Sequence, residues 1–184
     1  LINKLMGSNR PLKLIDYKKY NKPQWQNQYG LNISNVQIAK DLLNLGFDNK
    51  KSYTAHYPEI PNELDRYFIR GIFEGDGCLS LCHKKKSAQF NISGTEILCK
   101  QLQEKVNKLN INSRVLKTRT IWQLIICGNN NILRILNWIY ASYPNLRLER
   151  KFNLYKTLVI FKKSKFNIKP DNEALNEAIK ITET

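Results

Sequence analysis

Phe68-Ile69-Arg70-Gly71-Ile72-Phe73-Glu74-Gly75-Asp76-Gly77 is an apolar helical run that ends in a Gly-Asp-Gly turn. The helix delivers one carboxylate, Asp76, to its own end, where glycines let the backbone approach a metal or a phosphate closely. Gly71 leaves a gap on the helix surface through which a second helix can come near. Few purely structural needs call for this combination, and the chain holds it once.

Outward from this run, Asn62 is expected to cap the helix, with Glu63 and Asp65 in its first turn, and the helix to end near Glu74. Leu64, Phe68, Gly71 and Ile72 form the expected inner stripe. Alternating and periodic apolar residues then place strands at about 78–84 and 88–93 and a helix at about 95–109. The same patterns place strands at about 113–118 and 121–127 and a helix at about 130–141. The order is αββαββα, an α+β arrangement. Upstream, residues 1–22 read as basic and irregular, 28–34 as a half-buried strand, and Val36–Leu45 as a helix with Val36, Ala39, Leu42 and Leu43 inward and Gly46 as its stop. Residues 47–61 read as a loop carrying Lys50 and Lys51. A basic tail from Lys162 holds one more candidate helix, at about 171–181.

Two copies of one pattern are visible. Tyr29-Gly-Leu-Asn-Ile-Ser34, a polar turn and Ile38 to Leu43 match Trp122-Gln-Leu-Ile-Ile-Cys127, a polar turn and Ile132 to Leu136. Each copy later reaches a basic pair, Lys50-Lys51 and Arg150-Lys151. Residues 1–60 are thus expected to be the back half of a unit whose full version is 61–160, with 161–184 as linker and tail. The acidic helix of the first copy is missing.

Composition narrows the function. The 184 residues carry 42% hydrophobic side chains, three Trp and nine Tyr, enough for a folded core. The formal charge is +15, which points to a polyanionic partner. No apolar run approaches the roughly 20 residues of a membrane span, so nucleic acid is the expected partner and a membrane is not. Cys78, Cys82, Cys99 and Cys127 form no CxxC pair. Cys78 and Cys82 alternate with Leu79 and Leu81 and read as ordinary small strand residues, which fits a reducing compartment. No secretory signal opens the chain, and Leu1 rather than Met suggests a natural start missing or removed. Abundant Lys, Asn and Ile, with their A/T-rich codons, suggest an organellar or phage genome. A mitochondrion or plastid is the expected location, with a phage or bacterial host cytoplasm as the other.

The nonapeptide Ile69-Arg-Gly-Ile-Phe-Glu-Gly-Asp-Gly77 resembles the second signature motif of the LAGLIDADG homing endonucleases. Asn49 to Ser52, Tyr57-Pro58 and Ile60-Pro61 resemble the segment between the halves of two-repeat members, and Leu148-Glu-Arg-Lys151 the end of the second half. The resemblance covers roughly residues 25–155 and lacks the first motif. It implies two motif helices packed side by side and a saddle-shaped antiparallel sheet over the DNA major groove, with metal-dependent hydrolysis of both strands. Carried over residue by residue, Asp76 is the metal ligand, Gly75 offers a carbonyl, and Glu74 takes the less critical acidic position. Lys151 and Lys51 resemble the basic residues that assist catalysis. Mg²⁺ is the implied cofactor.

With Leu79, Leu81, Phe90 and Ile92 facing the helices, Ser80, Cys82, Lys84, Gln89 and Asn91 fall on the open face of the sheet. Arg114, Lys117, Arg119 and Gln123 are candidates on the next hairpin, and Arg150 adds a further cation. Gln and Asn read adenine and Arg or Lys guanine, whereas Lys84-Lys85-Lys86 suits backbone phosphate. Two function classes stay open. One is a site-specific intron or intein DNA endonuclease, whose missing motif lies elsewhere in the protein, in a partner chain or in a second copy. The other is a non-catalytic RNA binder, either an intron maturase or a component of an organellar ribonucleoprotein such as the ribosome.

Overall fold

The computed structural model describes residues 7–20, 24–25, 27–47, 54–141 and 147–166. They fall in two compact units, Leu1–Asp41 and Leu42–Thr184. In the first, β1 (Lys13–Ile15) pairs antiparallel with β2 (Gln28–Gly30). A 3-10 turn at Tyr17–Tyr20 lies between them, so this part is less irregular than its composition suggests. The β2 strand stops at Gly30, short of the expected Ser34. Helix α1 (Val36–Asn44) begins at the expected residue, with Asn35 accepting a bond from the Ile38 amide at 3.0 Å. Its expected inner face is not inner: no residue of α1 is buried, and Val36 is 74% exposed.

The second unit runs α2 (Asp65–Asp76), β3 (Gly77–Cys82), β4 (Ser87–Gly94), α3 (Glu96–Asn107), β5 (Ser113–Thr118), β6 (Ile121–Cys127) and α4 (Asn129–Tyr140). This is the expected αββαββα order, and β5 and β6 occupy the expected residues. The four strands form one antiparallel sheet in the order β3-β4-β6-β5. Leu79 pairs with Phe90, and Phe90 with Ile126, so these side chains share the face that packs under the helices. The core gathers there: Phe73, Phe90, Ile92, Leu124, Ile126, Ile132, Ile135, Leu136 and Ile139 are fully buried. Phe73 stacks on Phe90 with ring centroids 4.6 Å apart, which ties α2 to the sheet centre.

Three local expectations are corrected. Asn62 does not cap α2. It opens a 3-10 turn, Asn62–Leu64, and its side chain accepts from Lys105 Nζ at 3.1 Å instead. The buried stripe of α2 is Asp65, Ile69 and Phe73, one turn apart, while Leu64 is 44% exposed and Gly71 faces open space. Asp65 can be buried because Tyr57 Oη donates to it at 2.7 Å and Lys105 pairs with it at 2.8 Å. Finally, α2 continues through Gly75 and Asp76, so the acidic turn is the last turn of the helix itself.

Sequence patterning also missed a long element. Helix α5 (Glu149–Phe166) fills residues read as the end of the repeat and the start of a tail. Phe152, Tyr155, Leu158 and Phe161 are its buried side, at a regular spacing of three. The candidate helix at 171–181 lies outside the described residues.

Phe73 joins the motif helix, the sheet and α5 at once. Phe73→Ala is expected to cost about 3–5 kcal/mol, as for other fully buried aromatic residues, read as a lowered midpoint in urea unfolding.

Candidate functional site

Asp76 is exposed at the C-terminal end of α2, and no hydrogen bond or ion pair among the described residues involves its carboxylate. That position is electrostatically poor for an acid, because the unsatisfied carbonyls of a helix end carry partial negative charge. The groups on either side of it are engaged. Glu74 Oε1 accepts from the Leu148 amide at 3.0 Å and lies 3.6 Å from Arg70 Nε. Gly77 follows with its amide bonded to the carbonyls of Ile72 and Phe73. A Cβ at Gly77 would lie 2.7 Å from the Phe73 carbonyl oxygen, so only glycine lets β3 leave the helix this closely.

Lys151 is 2% exposed and comes from the first turn of α5. Its ammonium donates to the Phe73 carbonyl and, at 2.6 Å, to the Gly77 carbonyl, and it lies 4.9 Å from the centre of the Phe73 ring. Burial, then the neighbouring Arg150 charge, lower its pKa from 10.5. The structure therefore brings Glu74, Gly75, Asp76, Arg150 and Lys151 together at one helix end. Lys51 lies outside the described residues.

Arg70 and Tyr140 complete the surroundings, and neither was marked by the sequence. Arg70 is buried and lies 5.3 Å from the centre of the Tyr140 ring. Among the described residues the Tyr140 hydroxyl is buried with no hydrogen-bond partner in bonding geometry, and Glu74 is the acceptor that faces it. Burial, then the negative charge of Glu74, push it above its ordinary value of 10.0.

On the sheet, Ser80 pairs with Gln89 and Cys78 with Asn91. Arg114 and Asn91 both flank Ile125 on neighbouring strands. Ser80, Cys82, Gln89, Asn91, Arg114 and Gln123 thus share the face turned away from the helices. Gln123 donates to Ser93 Oγ at 3.1 Å, which fixes its amide across two strands. Lys117 belongs to the other face, where its ammonium lies 5.9 Å from the Trp122 ring centre. Lys84, Lys85 and Lys86 form the β3–β4 turn, as expected, and Asn129 pins that turn by donating to the Lys86 carbonyl at 2.8 Å. Both hairpin tips carry a cation in the left-handed region, Lys86 at φ 46° and Arg119 at φ 56°.

Residues 63–140 match the family model described as the LAGLIDADG-like domain. That segment is a LAGLIDADG-like domain within the chain. Among curated proteins it is similar to a reverse gyrase of Methanocaldococcus jannaschii, 31% identical over 130 residues, covering 68% of this chain and 8% of that protein. It is also similar to the probable cell division protein WhiA of Clostridium novyi, 30% identical over 144 residues, covering 73% of this chain and 45% of that protein. The chain therefore spans less than half the length of these relatives. Similar solved structures include the group I intron-encoded homing endonuclease I-CeuI complexed with DNA, at 15% identity and a TM-score of 0.44, covering 57% of each chain. Full-length DUF199/WhiA from Thermatoga maritima is another, at 20% identity and a TM-score of 0.42, covering 67% of this chain and 40% of that one.

Two outcomes test this geometry. Gly77→Ala is expected to destabilise the chain, because its Cβ meets helix backbone. Gly71→Ala, in open space, should gain about 0.5–1 kcal/mol by helix propensity; equal effects in thermal unfolding would contradict the close approach at Gly77. Tyr140 has a folded-state value above its unfolded one, so its contribution is intact below pH about 10 and is lost as pH rises further. Tyr140→Phe should flatten that alkaline decline and leave neutral-pH stability unchanged or raised. A loss beyond about 1 kcal/mol at neutral pH would mean the hydroxyl is bonded.

Proposed function

We propose that the chain is a nucleic-acid-binding protein that works as part of a metal-dependent DNA endonuclease. The observation that carries this reading is Asp76: an exposed carboxylate at the end of the motif helix, without a hydrogen bond or ion pair among the described residues, while Glu74 and Lys151 beside it are both engaged. A carboxylate left open beside side chains that are already engaged is available to an incoming cation.

The donor set suits a hard divalent cation. The Asp76 carboxylate and the Gly75 carbonyl are oxygen ligands of the kind Mg²⁺ takes alongside water and phosphate. Bound there, Mg²⁺ would neutralise phosphate charge and supply an activated water. The chain's own residues do the rest. Asp76 holds the negative charge at a defined point, and Arg150, exposed in the first turn of α5, draws phosphate toward it. The open face of the sheet offers Gln89, Asn91 and Arg114 for base edges, and Lys84, Lys85 and Lys86 meet the backbone at its rim. The net charge of +15 supports the same partner.

Among the described residues, no group of three His, Cys, Asp or Glu side chains gathers to hold a metal. One acidic motif thus provides half a site. The exposed surface around Gly71 suits a second motif helix, supplied by another part of the protein, a partner chain or a second copy. The same fact favours a second reading, in which the fold binds RNA or DNA without cutting, as in a maturase or a ribonucleoprotein particle.

The first test is Mg²⁺-dependent cleavage of a plasmid library by the native assembly, with its mass measured before and after nuclease treatment. Asp76→Asn should abolish cleavage while binding stays within about threefold, since neither a cation nor a base-reading side chain is lost. Cleavage undiminished in that variant would remove Asp76 from the reaction. A large particle that loses mass with ribonuclease would support the second reading. In either case Lys84→Ala should weaken binding and lower its salt slope by about one.

A further inference from the structure

We infer that Glu74 and Lys151 form a reciprocal clasp between two helix ends, and that this clasp, rather than direct action on phosphate or metal, is their role in the site. Both residues then act as positioning residues for the Asp76 turn. The inference rests on the reading of Asp76 given above for what is positioned, although its structural content stands apart from it.

The argument starts from orphan groups. The last turn of α2 leaves carbonyls without helical partners, and the start of α5 leaves amides without them. In this chain the side chain of each helix adds a partner at the end of the other: Lys151 meets the free Gly77 carbonyl and adds a second donor to the Phe73 carbonyl, which already accepts from the Gly77 amide, while Glu74 meets the Leu148 amide. Lys151, from the first turn of α5, places its ammonium between the carbonyls of Phe73 and Gly77. Glu74, from the last turn of α2, accepts from the amide of Leu148. Leu148 is the residue that opens α5, since its carbonyl accepts from the amides of Lys151 and Phe152 at 2.9 and 3.1 Å.

Charge follows the same logic. A cation sits at the negative end of α2 and an anion at the positive end of α5, so each helix dipole is met by the other helix's side chain. The ammonium is also largely engaged. Two of its donors go to carbonyls and the Phe73 ring covers it from 4.9 Å, with only 2% of the residue exposed. A lysine so enclosed does not reach a phosphate without leaving its slot. Glu74 is likewise committed, between the Leu148 amide and Arg70. The two carbonyls held by Lys151 bracket Gly75 and Asp76 in sequence, so the clasp grips the turn on both sides of the free carboxylate.

The experiment uses the chain without metal or nucleic acid, so a protein that neither cuts nor binds still gives an answer. Amide NMR spectra and hydrogen exchange would be recorded for the native chain and for Lys151→Met, Glu74→Ala, Glu74→Gln and Val106→Ala. Val106 is buried in α3, outside the clasp, and its truncation controls for general loosening. Lys151→Met and Glu74→Ala should both displace the amide resonances of residues 75–78. They should also lower the exchange protection of the Gly77 amide by about tenfold, the equivalent of one lost hydrogen bond. Glu74→Gln keeps the acceptor for Leu148 and should retain the native turn. Val106→Ala should lower the melting temperature without moving those resonances. Native resonances at 75–78 in Lys151→Met, or equal displacement by Val106→Ala, would overturn the proposal. If Lys151→Met does not fold, the Glu74 pair decides: Ala displacing the turn and Gln preserving it supports the clasp, and like behaviour of the two overturns it.

Discussion

The burial of one ammonium ion organises the functional end of this protein. Moving a lysine out of water is costly unless every donor finds an acceptor. Lys151 comes nearest to that condition where a carbonyl of the motif helix and the first residue of β3 come together, with two of its donors bonded and the Phe73 ring beside the third. The requirement fixes several things at once. The final helix must dock with its first turn against α2, β3 must leave the helix without a side chain at Gly77, and Phe73 must sit below the ammonium and above Phe90. The depressed pKa of Lys151 is the residual cost of that burial.

The opposite end of α2 uses the same device with the signs reversed. Asp65 is a buried acid in the first turn, satisfied by Tyr57 and Lys105, so the segment before the helix is tied to α3. Thr95 reinforces the tie, capping α3 through the Leu98 amide while its hydroxyl donates to the Ala55 carbonyl. The motif helix is therefore held at both termini by charged groups in low dielectric, and along its length by Ile69 and Phe73. Against that fixed frame, Asp76 stands out as the acid left for something else.

Much of the architecture was legible in the sequence because its signals are local. Alternation over 113–118 and 121–127 located β5 and β6 to the residue, and the apolar period of α4 is intact from Ile132 to Ile139. What failed was non-local. Asn62 has the right side chain for a cap, yet Lys105, forty-three positions away, claims it. Leu64 looks like a core position but is exposed; Phe68 and Ile72 do pack against the core, yet the sheet meets the helix through Ile69 and Phe73. Helix α5 was overlooked because Leu154, Val159 and Ile160 spread apolar residues around its circumference and blur the stripe of Phe152, Tyr155, Leu158 and Phe161. In the site, Asp76 was readable from its motif. The engagement of Glu74 and Lys151 was not, since it depends on how two distant helix ends meet.

The distance along the chain that these contacts span has a kinetic meaning. Phe73 and Lys151 are 78 residues apart, and Glu74 and Leu148 are 74 apart. Closing so long a loop is entropically unfavourable until the sheet between them has formed. The hairpins and α3, built from near neighbours, should come first, with the docking of α5 among the last events. A growing or partly folded chain thus carries its acidic turn in a loose state, and the carboxylate becomes fixed only when the rest of the domain is complete. For the role proposed for Asp76, this order of assembly couples the competence of the site to finished folding.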